Sequence, residues 1–88
     1  MEFQFDPAKA AGNLRKHGVP FSDAEGAFMD PFALHRLDPD AEGEERFVAI
    51  GAGSAGRLLV VVYTLRGESI RLISAPRATP AEVRAYES

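Results

Sequence analysis

Blocks of apolar and polar residues alternate most clearly in the second half of the chain, where they predict a β-hairpin. An apolar run from Leu58 to Val62 precedes the polar turn Arg66-Gly67-Glu68-Ser69, and a second extended run follows from Ile70 to Ala75. Both runs suit strands, and a short link that contains glycine commonly joins two antiparallel strands. We therefore expect these two runs to pair with each other.

The N-terminal part of the chain predicts a helix with a clear beginning and end. Asp6 is a natural N-cap, Pro7 fits the first helical position, and Gly18 can adopt the left-handed conformation that closes a helix. Lys16 and His17 fall in the last turn, where positive charge complements the helix dipole. These signals place the first helix between Pro7 and His17.

Two further helices are indicated by capping boxes, in which two side chains bond each other's backbone amides. The first box is Ser22-Asp23-Ala24-Glu25, and its short helix should stop at Asp30-Pro31. The second is Thr79-Pro80-Ala81-Glu82, which predicts a last helix that runs to the C-terminus.

Four strands are expected between the second and third helices. Two of them are Phe32 to Leu37 and Arg46 to Gly51, with Gly51 to Gly56 as the turn that leads into the hairpin. Every connection between these strands is too short for a parallel crossover. The sequence therefore predicts an α+β fold, with a four-stranded antiparallel sheet, two N-terminal helices and one C-terminal helix.

Length and composition limit the classes of protein that fit. A chain of 88 residues makes one domain, here residues 1–88, and its 45% apolar and 26% charged residues are typical of a globular protein. It has no cysteine and only two histidines, so neither a disulfide nor a metal site is expected. No apolar run approaches a membrane span, and the N-terminus lacks signal-peptide features, so we expect a cytoplasmic protein.

The charge of the chain is unevenly distributed. The formal net charge is −3, but five of the thirteen acidic residues lie between Asp38 and Glu45, in a segment that resembles a loop. The remaining eight acids face ten lysines and arginines. This mildly basic remainder falls short of a dedicated DNA-binding module and suits transient contact with RNA.

Arginines occur repeatedly along the predicted hairpin, at Arg57, Arg66, Arg71 and Arg77. An unpaired guanidinium group is too costly to bury, so these side chains should lie at strand ends or on a solvated face. Several arginines on one small sheet indicate an anionic ligand, and a phosphate backbone is the ligand that we expect.

The order of motifs along the whole chain resembles the BrnT toxin family. That family begins with an aromatic residue and Asp-Pro, followed by a helix that ends in Lys-His-Gly. The matching residues here are Phe5-Asp6-Pro7, Lys9, Asn13 and Lys16-His17-Gly18. Later matches are Phe28, Asp30-Pro31, Gly43-Glu44-Glu45-Arg46, Ile50-Gly51, Leu59 to Thr64, Arg66, Arg71 to Ala75, Ala78, Glu82 and Tyr86.

The resemblance implies a RelE-like fold and a ribonuclease toxin that cleaves cellular RNA and inhibits translation. It also implies a BrnA-type antitoxin that neutralises the toxin, while the complex represses its own operon through the DNA-binding domain of the antitoxin. Contact with DNA is thus expected only through that partner. A hetero-oligomer larger than one-to-one, such as two toxins with two antitoxins, would follow if the antitoxin dimerises.

RNA cleavage without a metal or other cofactor needs a base for the ribose 2′-hydroxyl, positive charge at the phosphate and an acid for the leaving oxygen. Arginine suits the phosphate because its planar fork bonds two oxygens at once. We expect Arg46, Arg71 and Arg77 to converge on one region of the sheet. His17 is the candidate for proton transfer, although a histidine at a helix end is commonly a dipole partner.

Four further residues are candidates for RNA binding: Lys9, Lys16, Arg66 and Tyr63. The lysines can bind phosphate or be simply solvated, and Arg66 lies at the hairpin turn. Tyr63 can stack on a base, although a tyrosine in a strand more often completes the core. We expect the antitoxin to cover the arginine face, and the acidic loop is either its dock or a solvated segment.

Three departures from the family pattern leave an alternative function open. The chain has Ser74-Ala75-Pro76 where the family usually has Ser-Ala-Arg, so that Arg77 comes one position later. Ala41 stands where many relatives have histidine, and Phe5 replaces the usual tryptophan. The alternative is a binding module with weakened catalysis that acts as antitoxin partner and co-repressor. A stand-alone DNA-binding protein finds little support in an acidic chain.

Overall fold

The computed structural model describes the whole chain, Met1–Ser88. Five strands and three helices follow one another along the sequence. Their bounds are β1 (Glu2–Phe5), α1 (Pro7–His17), α2 (Phe21–Met29), β2 (Leu34–Leu37), β3 (Phe47–Ala52), β4 (Leu58–Arg66), β5 (Ser69–Ser74) and α3 (Pro80–Glu87). None of the three helices is long and apolar enough to cross a lipid bilayer.

The strands form one mixed sheet in the order β1-β5-β4-β3-β2. Strands β2 to β5 are antiparallel neighbours, as expected, but β1 pairs with β5 in parallel, with Phe3 opposite Ile70 and Phe5 opposite Leu72. The prediction of a four-stranded antiparallel sheet is therefore wrong. Strand β1 was missed because it has only 4 residues and its partner lies at the other end of the chain.

The predicted hairpin is confirmed as β4 and β5. Its turn places Gly67 at a φ of 61°, the left-handed value that the first central residue of a type II′ turn requires. The ladder between the two strands shifts register at Val62 and Tyr63, which pair with Ser74 and Leu72 respectively. Ile73 is thus left without an opposite residue, as in a β-bulge.

The helix ends follow the sequence signals in α1 and α3 but not in α2. The Asp6 side chain accepts a bond from the amide of Ala8, Gly18 has a φ of 69°, and both bonds of the predicted capping box of α3 are present. Helix α2 instead begins at Phe21, with Pro20 as a cap that makes no side-chain bond. The predicted capping box of Ser22 is wrong because the N-cap lies two residues earlier, at Pro20, and the Phe21 side chain enters the core.

The hydrophobic core lies between one face of the sheet and the α1–α2 layer. Its side chains come from alternate positions of β3, β4 and β5, which point to the same face of a sheet, and from α2. Small residues let the helix approach the sheet closely: a Cβ atom on Gly51 would collide with the backbone carbonyl of Ala27. The core residues are Val19, Phe21, Ala24, Ala27, Ala49, Leu59, Val61, Tyr63, Ile70, Leu72 and Ala75.

Asn13 joins α1 to the end of the last strand and is buried, with 6% of its surface exposed. Its Nδ2 donates to the carbonyl of Val19 at 2.9 Å and to that of Ala75 at 3.1 Å, while its Oδ1 accepts from the amide of Ala75 at 2.9 Å. Three hydrogen bonds from one side chain therefore fix the position of the helix on the sheet.

Asp30, at the end of α2, holds the C-terminal helix in place. Its carboxylate accepts a bond from the amide of Ala52 at 2.8 Å and another from the hydroxyl of Tyr86 on α3. These bonds, together with one from the amide of Phe32, lower the pKa of Asp30 below its ordinary value of 3.8. The bond to Asp30 likewise raises the pKa of Tyr86. Helix α3 is thus tied to the sheet by a polar contact at its last turn.

Candidate functional site

A polar cavity of about 180 Å³ lies on the face of β4 that bears Thr64, opposite the face that packs against α2. It lies at the end of the hairpin that bears the β4–β5 turn. Its lining comes from strands β4 and β5, from Arg46 just before β3, from the first turn of α1 and from the acidic loop. The lining residues are Lys9, Glu42, Glu44, Arg46, Thr64, Arg66, Arg71 and Ile73.

Register alone brings two arginines to either side of one threonine. Thr64 of β4 pairs directly with Arg71 of β5. On its other side Thr64 is next to Arg46, because Arg46 precedes Phe47, which pairs with Tyr63. Directly opposed residues point to the same face, and neighbouring strands lie ~4.8 Å apart. The backbones of the two arginines are therefore only about 10 Å apart across the sheet.

The charges at the cavity are only partly neutralised within the protein. The two ion pairs of the whole chain join Arg57 to Asp23 and Arg66 to Glu44. Arg46 and Arg71 are in neither pair and are free to bind an anion. Arg66 Nε and Nη2 donate to the two carboxylate oxygens of Glu44 at 3.0 and 3.2 Å, and both side chains are half exposed. A solvated pair of this kind is weak and can be exchanged.

The acidic loop, which we expected to be a dock for the antitoxin or a solvated segment, contributes two carboxylates to the same cavity. Glu42 and Glu44 line it, so this part of the loop folds towards the arginines. The amide of Asp38 donates to the carbonyl of Arg46 at 2.8 Å and thereby closes the loop at its base. The site therefore contains proton acceptors as well as cations.

Arg77 does not join the other two arginines, and the predicted convergence of three is corrected to two. Arg77 forms an isolated bridge with Leu59, near the start of β4. Five residues along that strand separate Leu59 from Thr64, a distance of roughly 17 Å. A guanidinium nitrogen of Arg77 instead lies near Gly18, 3.4 Å from the position of a Cβ atom there. After β5 the chain runs away from the cavity, and Arg77 therefore lies outside it.

The candidates on α1 are divided between its two ends. Lys9 lies in the first turn and lines the cavity, and its contact with phosphate stays a prediction. Lys16 and His17 lie in the last turn. Eight residues of helix place His17 roughly 12 Å from Lys9 along the axis. Lys16 and His17 therefore do not line the cavity with Arg46 and Arg71.

Tyr63 is a core residue, which corrects its predicted role in RNA binding. Only 5% of it is exposed, and its ring stacks on Phe47 and meets Phe28 edge to face. Its hydroxyl lies 2.9 Å from Nδ1 of His35 on the edge strand. Burial raises the pKa of Tyr63. No face of the ring is left for a nucleic-acid base to stack on.

Arg57, which we expected at a strand end or on a solvated face, joins the two N-terminal helices. Its Nη2 donates at 3.1 Å to the carbonyl of Gly18 and at 3.1 Å to Oδ2 of Asp23. It therefore stabilises the turn between α1 and α2 and takes no part in the cavity. A second, largely apolar cavity of about 220 Å³ lies between α3 and the sheet and is lined by Arg36, Val48, Ile50, Ala81, Glu82 and Ala85.

Comparisons with known proteins agree on one family. The family model described as ribonuclease toxin, BrnT, of type II toxin–antitoxin system matches residues 5–82. Among solved structures, the 1.1 Å crystal structure of the Brucella abortus ribonuclease toxin BrnT is similar to this one, with a TM-score of 0.67 and 27% sequence identity. The similarity covers 90% of this chain and 97% of the Brucella chain. A search of curated proteins finds no match.

Proposed function

The chain belongs to the BrnT family of ribonuclease toxins of type II toxin–antitoxin systems, and from this premise we propose that it cleaves RNA at the cavity beside Thr64. The observation that carries this location is a pair of arginines without ion-pair partners. Arg46 and Arg71 lie on either side of β4, next to Thr64. A cleaved phosphodiester develops extra negative charge in its transition state, and these two groups are ready to receive it.

The arginines supply electrostatic stabilisation. Each planar guanidinium group can bond two phosphate oxygens at once. A positioned donor at a developing oxyanion is worth ~3–4 kcal/mol, which corresponds to about a hundred- to a thousand-fold in rate. Lys9 and Arg66 also line the cavity and are suited to the neighbouring phosphates of the RNA chain.

Proton transfer falls to a carboxylate rather than to His17. Glu42 and Glu44 line the cavity with the arginines, so either can accept the proton of the ribose 2′-hydroxyl. Glu42 is the better candidate because Glu44 is engaged by Arg66. The cations already present at the phosphate provide the charge that a divalent metal would otherwise supply, so we propose that cleavage is metal-independent.

The biological setting follows from membership of the family. We propose that a BrnA-type antitoxin covers the arginine face in a hetero-oligomer of two toxins and two antitoxins, and that DNA is contacted only through the antitoxin. Cleavage of cellular RNA in the cytoplasm would then inhibit translation. The packing of helices on both faces of an antiparallel core of four strands, β2 to β5, is compatible with a RelE-like fold.

The alternative is a binding module with weakened catalysis, and its support came from Pro76 and the displaced Arg77. Pro76 continues the sheet, since its carbonyl accepts from the amide of Val60 at 2.9 Å. Neither residue lines the cavity. The departure at Pro76 and Arg77 thus lies outside the proposed site, which favours the enzyme over the binding module.

The test is cleavage of a mixed-sequence RNA by purified protein in the presence of EDTA. We expect cleavage by the wild type, and a loss of about a hundred-fold or more in Arg71→Ala. Arg84→Ala on α3 removes the same charge away from the cavity and should retain activity. If the folded wild type leaves RNA intact at all concentrations, the enzyme is rejected and the binding module is supported. Equal activity in both variants would place the site elsewhere.

A further inference from the structure

Thr64 lines the cavity, but the proposed cleavage reaction assigns it no role. It is 97% buried, since only 3% of its surface is exposed, yet it lines the cavity together with the arginines. Its Oγ1 is buried and has no hydrogen-bond partner in the protein. A buried hydroxyl without a partner is costly, and such groups are uncommon in folded proteins.

The position of Thr64 in the sheet places it between the two free arginines. Thr64 lies between Arg71 and Arg46 in the row that crosses the sheet, with its side chain on the same face as theirs. An anion held by both guanidinium groups would therefore be centred above Thr64. A valine of the same shape would fill this space without leaving a hydroxyl unsatisfied.

The geometry points to Thr64 as a phosphate ligand, whose hydroxyl donates a hydrogen bond to a phosphodiester oxygen held between Arg46 and Arg71. This assignment rests on the proposed function, because it takes RNA as the source of the phosphate. It adds a neutral donor beneath the bound group to the two charged donors beside it. Hydrogen bonds to charged acceptors are stronger than those between neutral groups.

The proposed hydrogen bond requires a rotation of the Thr64 side chain. Oγ1 is covered in the structure, and a rotation about χ1 exchanges it with the methyl group, which has nearly the same size. Of the surrounding groups, Arg66 and Glu44 are half exposed and joined by a pair that solvent can compete with. The β-bulge at Ile73, the next residue on the same face after Arg71, adds local twist beside the cavity.

The unsatisfied hydroxyl also predicts how Thr64→Val changes stability. If Thr64 served only to stabilise the fold, its replacement would destabilise the protein, whereas we expect the opposite. Thr64→Val removes the unsatisfied hydroxyl while it keeps the volume and the preference for strands. The free protein should therefore become more stable, with a rise in Tm of about 4–8 °C. Binding of phosphate should become weaker at the same time.

The decisive probe is a mixed-sequence RNA oligonucleotide with 2′-fluoro groups, which can be bound but has no 2′-hydroxyl to attack the phosphate. Its dissociation constant is measured for the wild type, Thr64→Val and Thr64→Ser, far below the Tm of each protein. We expect Thr64→Val to bind about 10- to 100-fold more weakly. Thr64→Ser keeps the hydroxyl and should bind within about three-fold of the wild type, although the loss of a methyl group lowers its Tm.

The outcomes separate this inference from the proposed function. Equal binding by the wild type and Thr64→Val would overturn the role of Thr64, whether or not the protein cleaves RNA. Tight binding of the probe by the wild type, weaker binding by Thr64→Val and no cleavage of ordinary RNA would support Thr64 as a ligand and reject the enzyme. No binding by the wild type would contradict both. If Thr64→Val does not fold, the predicted gain in stability is wrong, and Thr64→Ala then serves as the variant without hydroxyl in the binding assay.

Discussion

Replacement of Asn13 by alanine should destabilise the protein strongly, because this one side chain supplies three buried hydrogen bonds. The change leaves the amide and the carbonyl of Ala75 and the carbonyl of Val19 without their side-chain partner. Ala75 and Val19 are both fully buried, so water cannot easily replace the lost bonds. A buried donor without a partner costs about 1–3 kcal/mol, and the two carbonyls add a smaller cost.

Together these terms give a loss of about 3–4 kcal/mol, out of the ~4–13 kcal/mol expected for a domain of this size. The corresponding decrease in Tm is about 12–30 °C. Alanine is itself the better helix former, by up to ~0.7 kcal/mol, so intrinsic helix propensity works against the predicted loss and cannot produce it.

Urea denaturation followed by circular dichroism measures this free energy directly, provided that the slope m is the same in both proteins. Arg15→Ala is the matched control, since Arg15 is an exposed residue of the same helix. It should change the free energy of unfolding by no more than ~0.5 kcal/mol. A loss below about 1 kcal/mol in Asn13→Ala would refute the claim that this side chain fixes α1 on the sheet.

Two further predictions concern carboxylates. Glu44→Gln should raise the affinity for the 2′-fluoro RNA oligonucleotide by more than Glu45→Gln, because both remove one charge but only the former releases Arg66; equal changes would mean that only net charge matters. Asp30→Asn should make the free energy of unfolding fall less steeply as the pH is lowered. The pKa of Asp30 is lowered by folding, so its contribution is present above pH 3.8 and lost as the pH falls through the lower folded value. Thermal melts between pH 2 and 6 measure this difference, and an identical dependence of Tm on pH in the wild type and Asp30→Asn would contradict the prediction.

The parts of the fold that depend on local signals could be predicted from the sequence. The hairpin turn needs a glycine with positive φ, and Gly67 provides it. Asp6, Gly18 and the capping box at Thr79 fix helix ends through contacts between near neighbours. Strand β1 could not be found in this way, because a strand of 4 residues becomes stable only through pairing with β5 at the far end of the chain.

The candidate site depended on register, which the sequence pattern does not define. A shift of one residue moves every side chain of a strand to the other face. The alignment of Arg46 with Thr64 and Arg71 therefore became visible only in the paired sheet. Arg77 is close to Arg71 in sequence, but the chain between them leads away from the cavity.

The acidic loop illustrates a second limit of the sequence. Glu44 is 22 residues from Arg66, and nothing in a run of acids indicates which of them will reach a particular arginine. The burial of Tyr63 has the same origin, because it depends on which face of β4 meets the α1–α2 layer.

A double-mutant cycle on Arg46 and Arg71 tests most directly whether the two arginines hold one phosphate. The dissociation constant for the 2′-fluoro RNA oligonucleotide is measured for the wild type, Arg46→Ala, Arg71→Ala and the double variant, with a parallel cycle on Arg46 and Arg77. Two groups on one phosphate should give a coupling energy of at least ~1 kcal/mol between Arg46 and Arg71, and additive effects, within ~0.5 kcal/mol, between Arg46 and Arg77. Additive effects in the first cycle would contradict a shared phosphate site.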